Sequence, residues 1–135
     1  MTTSGILGLW HVALRVRDIR RSRAFYEGLF GMKPVWEPDP KNVYLSSGND
    51  NLALHQVPNG EIISNEAQRT QCLDHLGFVV DTPETVDRLF AQAEQAGSTI
   101  VHRPRQHRDG SYSCYISDPD GNTVQVLYEP RLSKR

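Results

Sequence analysis

Two stretches of the chain, residues 10–16 and 74–80, alternate between apolar side chains and polar or small ones. A period of two is typical of a strand with one buried and one open face. The apolar set of the first stretch, beginning with Trp10, is therefore predicted to face the core. His11 and His75 stand near the starts of the two stretches and are predicted to lie on the opposite face.

An amphipathic helix is predicted after each of these strands. Asp18 is a typical N-cap residue for the first helix, and Gly31 is expected to end it. Pro83 suits the first turn of the second helix, and Gly97 is expected to end that one. The apolar faces at helical spacing are Ser22, Phe25, Tyr26 and Leu29 in the first helix and Val86, Leu89, Phe90 and Ala93 in the second.

Three short strands are predicted after each helix, so that the order strand, helix, three strands occurs twice. Their predicted positions are near 33–36, 43–47 and 52–57 in the first half, and 99–102, 113–117 and 123–128 in the second. A repeat of this length is one supersecondary unit used twice. The predicted fold is α+β, with two βαβββ modules of mixed sheet, about 8–58 and 72–130, in a single domain over 1–135. Residues 58–71 are predicted as a polar connection, and Arg103 to Tyr112 as a loop.

Composition narrows the class of protein without identifying a function. The chain has 135 residues, 38% of them hydrophobic and 23% charged, as expected for a globular domain. A net charge of −1 argues against a dedicated partner among nucleic acids or membrane surfaces. No apolar run approaches membrane-spanning length, and no signal peptide is recognisable. Cys72 and Cys114 are too few for a disulfide framework, so a reducing, cytoplasmic location is predicted. Both cysteines are expected to be half-buried packing residues.

Four segments carry a resemblance to a known family, and their order and spacing matter more than any one of them. These segments are His11–Asp18, Ser22–Met32, Asp74–Phe78 and Ser117–Asn122. Over about residues 8–129 the sequence resembles the vicinal oxygen chelate superfamily, which includes glyoxalase I, fosfomycin and bleomycin resistance proteins, methylmalonyl-CoA epimerase and extradiol dioxygenases. The resemblance implies paired βαβββ modules whose sheets curl around a cavity that usually holds a divalent metal.

The resemblance also implies a set of metal ligands, which this chain retains only in part. His11 and His75 match the family's ligands on the first strand of each module. Gln125 stands where the family has a Glu, and Ala53 where a fourth ligand, often Glu, is found. Two imidazoles and a carboxylate suit Fe(II), and similar sets bind Zn, Ni or Co. An amide keeps an oxygen donor but loses the negative charge that offsets a dication.

Further polar residues are candidates for contact with a substrate. His55 shares a strand face with the position of the missing ligand and could complete the metal shell or contact the substrate. Arg15 could neutralise an anionic substrate, and Arg105 could bind a carboxylate or phosphate bidentately. A solvated surface arginine is the alternative for both. His102 and His107 are expected to be structural or surface residues.

The resemblance, together with these residues, implies two classes of function. The retained histidines favour a small metal-dependent lyase or isomerase of the glyoxalase type that acts on a small oxygen-rich substrate. The departures at Gln125 and Ala53 favour a metal-free protein that binds or sequesters a small molecule, as bleomycin resistance proteins do. In either case a C2 homodimer is expected, since open sheet edges are usually covered.

Overall fold

The computed structural model describes residues 5–59 and 72–133, and the same order of strands and helix occurs in each segment. The chain divides into two units, Met1–Ile63 and Ser64–Arg135, called unit 1 and unit 2 below. Unit 1 contains β1 (His11–Val16), α1 (Ile19–Phe30), β2 (Lys33–Asp39), β3 (Asn42–Ser46) and β4 (Asn51–Gln56). Unit 2 contains β5 (Leu76–Val80), α2 (Pro83–Gln95), β6 (Ile100–Gln106), β7 (Tyr112–Ser117), β8 (Thr123–Tyr128) and α3 (Pro130–Ser133).

Each unit holds one four-stranded mixed sheet, which confirms the predicted α+β fold of two repeated βαβββ modules. The strand orders are β1-β4-β3-β2 and β5-β8-β7-β6. The first pair of each sheet is parallel and the other two pairs are antiparallel. Because the last strand of a module lies beside its first, Ala13 stands opposite Ala53 and Gly77 opposite Gln125. The single domain predicted over 1–135 stays a prediction.

The helices begin and end where their local sequence signals predict. The Asp18 side chain accepts hydrogen bonds from two backbone N–H groups of the first turn of α1, and Gly31 ends α1 at a φ of +68°. Thr82 caps α2 by accepting a hydrogen bond from the Thr85 backbone at 3.1 Å, with Pro83 directly after it. These contacts satisfy N–H groups that have no partner inside the helix.

The predicted core is largely confirmed, but some side chains are more exposed than predicted and one is more buried. All four apolar-face residues of α2 are buried, whereas Phe25 and Leu29 of α1 are only half-buried. The prediction for Trp10 was wrong: its side chain is 60% exposed, because it precedes β1 and the buried face begins further along the strand. Cys72 is exposed and Cys114 fully buried, so neither is half-buried. Burial raises the pKa of the Cys114 thiol to about 11.

The edge strands β2 and β6 contain matching irregularities in their pairing. In β6, His102 lies opposite Tyr115 and Arg105 opposite Ser113, so three steps on β6 match two on β7. Such a bulge changes which face the following side chain occupies. His102 and Arg105 therefore share a face, although simple alternation would separate them.

The same bulge occurs in β2, and it shows that the repeat includes the irregular backbone. Trp36 lies opposite Tyr44, and Asp39 opposite Asn42, again with three steps against two. The loop predicted from Arg103 to Tyr112 was too long, since β6 continues to Gln106 through this bulge. Arg105 is thus a strand residue held by backbone pairing.

Two further findings concern the predicted connection over 58–71 and the possibility of a membrane-spanning helix. The connection predicted over 58–71 lies outside the described residues from residue 60 onward. Among residues 5–59 and 72–133, no helix has the length and hydropathy needed to cross a membrane.

Candidate functional site

Unit 2 contains a cavity of about 480 Å³ on one side of its sheet. Its lining residues are Asp74, His75, Val101, His102, Arg103, Arg105, His107, Ser113, Tyr115 and Thr123. Tyr115 lies near the middle of β7, between neighbours Cys114 and Ile116 that are fully buried on the core face. Since side chains alternate along a strand, the Tyr115 side chain lies on the face opposite the core.

Gln125 is fixed beside this cavity by contacts on two sides. Its Nε2 donates a hydrogen bond to the Tyr115 hydroxyl at 3.0 Å. Its Oε1 lies over Gly77, where an added Cβ would come within 3.2 Å of that oxygen. Gly77 thus leaves room for the amide, and the Gln125 oxygen keeps no hydrogen-bond partner among residues 5–59 and 72–133.

Tyr115 is flanked by two imidazole rings. The His75 ring lies edge-on at 5.2 Å between centroids, and the His102 ring edge-on at 5.6 Å. Edge-to-face contacts of this kind orient neighbouring rings. Nearby, His107 Nε2 lies 3.0 Å from the hydroxyl of buried Ser113.

His102 is exposed and His107 bonds the buried Ser113, which agrees with the expectation of surface or structural residues, and both also line the cavity. The bulge in β6 brings His102 onto the cavity face, and the following hairpin returns His107 to Ser113. Tyr115 had no role in the sequence prediction. The only available signal was the repeat of Tyr-Leu-Ser in Tyr-Ile-Ser, at Tyr44 and Tyr115.

His75 has a defined tautomer. Its Nδ1 lies 2.7 Å from Oδ1 of the exposed Asp74 carboxylate. A carboxylate oxygen accepts, so Nδ1 carries a proton, and in the neutral ring the Nε2 atom is the one with the lone pair. The Nε2 atom has no hydrogen-bond partner in the described part of the chain.

The histidines of unit 1 are oriented in the same way. His11 Nδ1 lies 2.6 Å from Asn51 Oδ1, and His55 Nδ1 lies 2.6 Å from Asn42 Oδ1. An amide oxygen accepts, so both rings are protonated at Nδ1. Arg15 lies opposite His55 in the sheet register and forms no ion pair with the residues described.

Aromatic rings extend this face of unit 1. Trp36 stacks on Tyr44 at 4.9 Å between centroids, and His11 stacks on the other side at 6.1 Å. His55 contacts Tyr44 edge-on at 5.8 Å. Trp36 is 59% exposed, so the stack presents a broad aromatic surface.

The six predicted site residues thus fall into two groups. His11, Arg15 and His55 lie on one face of the sheet of unit 1, whereas His75, Arg105 and Gln125 belong to unit 2. That His11, His75 and Gln125 meet in one site stays a prediction. Within the segments described, no three His, Cys, Asp or Glu side chains cluster in a way that could hold a metal ion.

Comparisons with known proteins agree on one family. Residues 8–126 match the family described as the Glyoxalase/Bleomycin resistance protein/Dioxygenase superfamily. An uncharacterized protein of Pseudomonas aeruginosa is 31% identical over 125 residues, covering 89% of this chain and 87% of its own. The metallothiol transferase FosB of Shouchella clausii is 28% identical, covering 88% and 78%. The crystal structure of lactoylglutathione lyase from Agrobacterium tumefaciens matches with a TM-score of 0.72 and 25% identity, covering 96% and 98%.

Proposed function

We propose that this chain, which belongs to the Glyoxalase/Bleomycin resistance protein/Dioxygenase superfamily, is a metal-dependent lyase or isomerase of the glyoxalase type. Its substrate would be a small oxygen-rich molecule. His11, His75 and Gln125 would hold the divalent cation, which could be Zn, Ni, Fe or Co. The similarity to a lactoylglutathione lyase supports the reaction type, and the similarity to a metallothiol transferase supports use of a metal.

One observation carries the proposal: each of the three side chains is held through one atom, and the other donor atom has no hydrogen-bond partner among the residues that the structure describes. His11 and His75 both bond through Nδ1, leaving Nε2 as the ligand atom. Gln125 bonds through Nε2, leaving Oε1. Metal-binding histidines commonly have the other ring nitrogen bonded to a carboxylate or carbonyl, which fixes ring orientation and raises ligand basicity.

The chemistry of this donor set defines what the chain must do. When bound, the cation would polarise substrate oxygens and stabilise the negative charge that develops on them. Gln125 cannot accept a proton, so a titratable side chain has to move protons during the reaction. His102 lines the cavity beside Tyr115 and is not needed as a ligand, which makes it a candidate for that role.

The assembly that we propose is a C2 homodimer. β1 and β2 are the edge strands of one sheet and β5 and β6 those of the other, and proteins usually cover such edges. Light scattering of the whole chain should give about twice the protomer mass of 15.3 kDa. A single species at the protomer mass would contradict this assembly.

A metal-free binding protein is the second candidate, and the residues at two equivalent positions favour it. Gln125 is neutral, and Ala53, which takes the corresponding place opposite Tyr44, has no donor atom. In this alternative the stack of Trp36 and Tyr44 would contact a planar or apolar ligand. The two candidates differ in how the protein responds to a carboxylate at position 125.

The Gln125→Glu variant tests the proposal. A carboxylate of equal reach restores the missing negative charge, so added Zn or Ni should raise the melting temperature more than in the wild-type protein. Gln92→Glu on α2 makes the same charge change on the exposed side of a helix and should show no such gain.

If the protein binds no metal, Gln125→Glu is expected to lower the melting temperature instead of raising it. A carboxylate without a cation would then lie half-buried beside Tyr115 and lower the melting temperature at neutral pH. Stability would recover in acid as the carboxyl becomes protonated. Such a loss, without any metal-dependent gain, would contradict the metalloenzyme and favour the binding protein.

A further inference from the structure

The cavity of unit 2 carries more positive than negative side chains. Its charged lining residues are Arg103, Arg105 and Asp74, and three histidines lie around them. The Asp74 carboxylate already contacts His75 Nδ1. Arg103 is held toward α2, where its Nη2 lies 3.1 Å from Glu94 Oε2 and its guanidinium lies 5.4 Å from the centre of the Phe90 ring. Among the described residues that line the cavity, Arg105 is the remaining permanent cation.

Backbone pairing determines the position of Arg105, and its side chain has no ion-pair partner among the described residues. The β6 bulge brings it onto the face of Tyr115 and opposite Ser113. It forms no ion pair with any residue between 5 and 59 or between 72 and 133. A guanidinium without a carboxylate partner keeps its planar set of donors for a ligand, and these match two oxygens of an anion.

Two hydroxyl groups line the same cavity as Arg105. The Tyr115 hydroxyl accepts a hydrogen bond from Gln125, so its own proton is left to donate. No residue described accepts that proton. Ser113 is only 1% exposed, and its hydroxyl is held at 3.0 Å by His107 Nε2. The cavity therefore combines oriented hydroxyl groups with the Arg105 guanidinium, which has no ion-pair partner in the described part of the chain.

The corresponding positions of unit 1 have the opposite charge. Asp39 takes the place of Arg105 after the bulge and stands opposite Asn42. Its carboxylate accepts hydrogen bonds from Asn42 Nδ2 at 2.9 Å and from the Lys41 backbone at 2.8 Å. Trp36 takes the place of His102. The positive cavity is therefore a property of unit 2 and not of the repeated scaffold.

We infer that the unit 2 cavity binds the oxyanion group of a small molecule, a carboxylate or a phosphate, through Arg105 and the Tyr115 hydroxyl. This inference rests on the proposed function in one respect, because the bound molecule would be the substrate of the proposed enzyme. The inference adds that this substrate carries a negatively charged group. The anion contacts use no metal ligand, so binding should persist when metal is removed. Through its hydrogen bond to His107 Nε2, Ser113 orients the His107 ring that lines the same cavity.

Calorimetric titration of the full chain, treated with chelator, tests the inference. Inorganic phosphate is titrated in one arm and glycolate in the other, which distinguishes the two oxyanions. Arg105→Gln should weaken binding of the preferred anion by about tenfold or more, as expected for loss of a charge-assisted pair. Arg88→Gln removes an equal charge from the exposed side of α2 and should change the affinity less than about twofold.

A second variant tests the hydroxyl contribution. Tyr115→Phe keeps the ring between His75 and His102 and should weaken anion binding severalfold, because one donor is lost. The melting temperature of each variant shows whether it is folded. Equal binding by the wild-type protein and Arg105→Gln, or binding of neither anion by the wild-type protein, would overturn the inference.

Because metal is absent from this titration, its failure leaves the Gln125→Glu result standing. A failed Gln125→Glu test leaves the anion site standing in the same way.

Discussion

Unit 1 and unit 2 share one backbone plan and present different chemistry on it. Both have the same strand order, the same parallel pair and the same bulge in the edge strand. Across the middle of the sheet, unit 1 has Ala13, Ala53, Tyr44 and Trp36 in register, and unit 2 has Gly77, Gln125, Tyr115 and His102. The tyrosine is retained while its neighbours differ.

The neighbours decide what each tyrosine can do. Beside Tyr115, the Gln125 amide occupies the space left by Gly77 and donates to the hydroxyl. Beside Tyr44, the fully buried Ala53 offers no polar group, and the ring is held by stacking on Trp36. One scaffold thus produces an aromatic surface in one unit and a polar cavity in the other, because the side chains around the equivalent tyrosines differ.

Introducing the amide of unit 2 into unit 1 should have the strongest effect on stability. Ala53 is fully buried opposite Ala13, so Ala53→Gln should over-pack this site and lower the free energy of unfolding by about 1–3 kcal/mol. Denaturant unfolding measures the loss. The double variant Ala13→Gly with Ala53→Gln recreates the pair found at Gly77 and Gln125 and should recover part of it. Wild-type stability in Ala53→Gln alone would show that the two units are interchangeable here.

Removing the amide from unit 2 should cost less. Gln125→Ala deletes the hydrogen bond to Tyr115 from a half-buried position, with an expected loss of about 0.5–1.5 kcal/mol. A double-mutant cycle with Tyr115→Phe should give a coupling energy of similar size, because the two side chains are direct partners. Additive effects would mean that this hydrogen bond contributes nothing to stability.

The smallest expected effect on stability comes from a hydrogen bond between β7 and α2 in unit 2. The Tyr112 hydroxyl donates to Asp87 Oδ1 at 2.6 Å, and this bond, with burial, raises the pKa of Tyr112 to about 12. Its stabilising contribution is complete below the ordinary tyrosine pKa of about 10 and is lost as the pH rises toward 12. In unit 1 the corresponding residue is Lys41.

Thermal unfolding between pH 9 and about pH 12 measures that contribution. The wild-type protein should be more stable than Tyr112→Phe at the lower end, and the difference should shrink at the upper end. Asp87→Ala should remove the same pH dependence from the other side of the contact. A difference that stays constant with pH would show that the hydrogen bond is not its source.

Much of the local structure could be predicted from the residues, because its causes are local. The Asp18 cap, the Gly31 stop and the period-two pattern of β1 each act within a few neighbouring residues. The repeat also indicated correctly that Gln125 and Ala53 are equivalent, which the register on Tyr115 and Tyr44 confirms. Trp10 and the cysteines show the limit, since burial depends on which parts of a strand are covered.

The positions of the cavity residues depend on contacts between distant parts of the chain. His102 and Arg105 are an odd number of residues apart, so alternation alone assigns them to opposite faces; pairing with β7 creates the bulge that places them together. The free donor atoms of His11 and Gln125 likewise depend on Asn51 and Tyr115, which pairing of the strands brings alongside. Residue types and their periods therefore specify the modules and the candidate residues, whereas strand register determines which side chains meet, because register is a property of two strands and not of one.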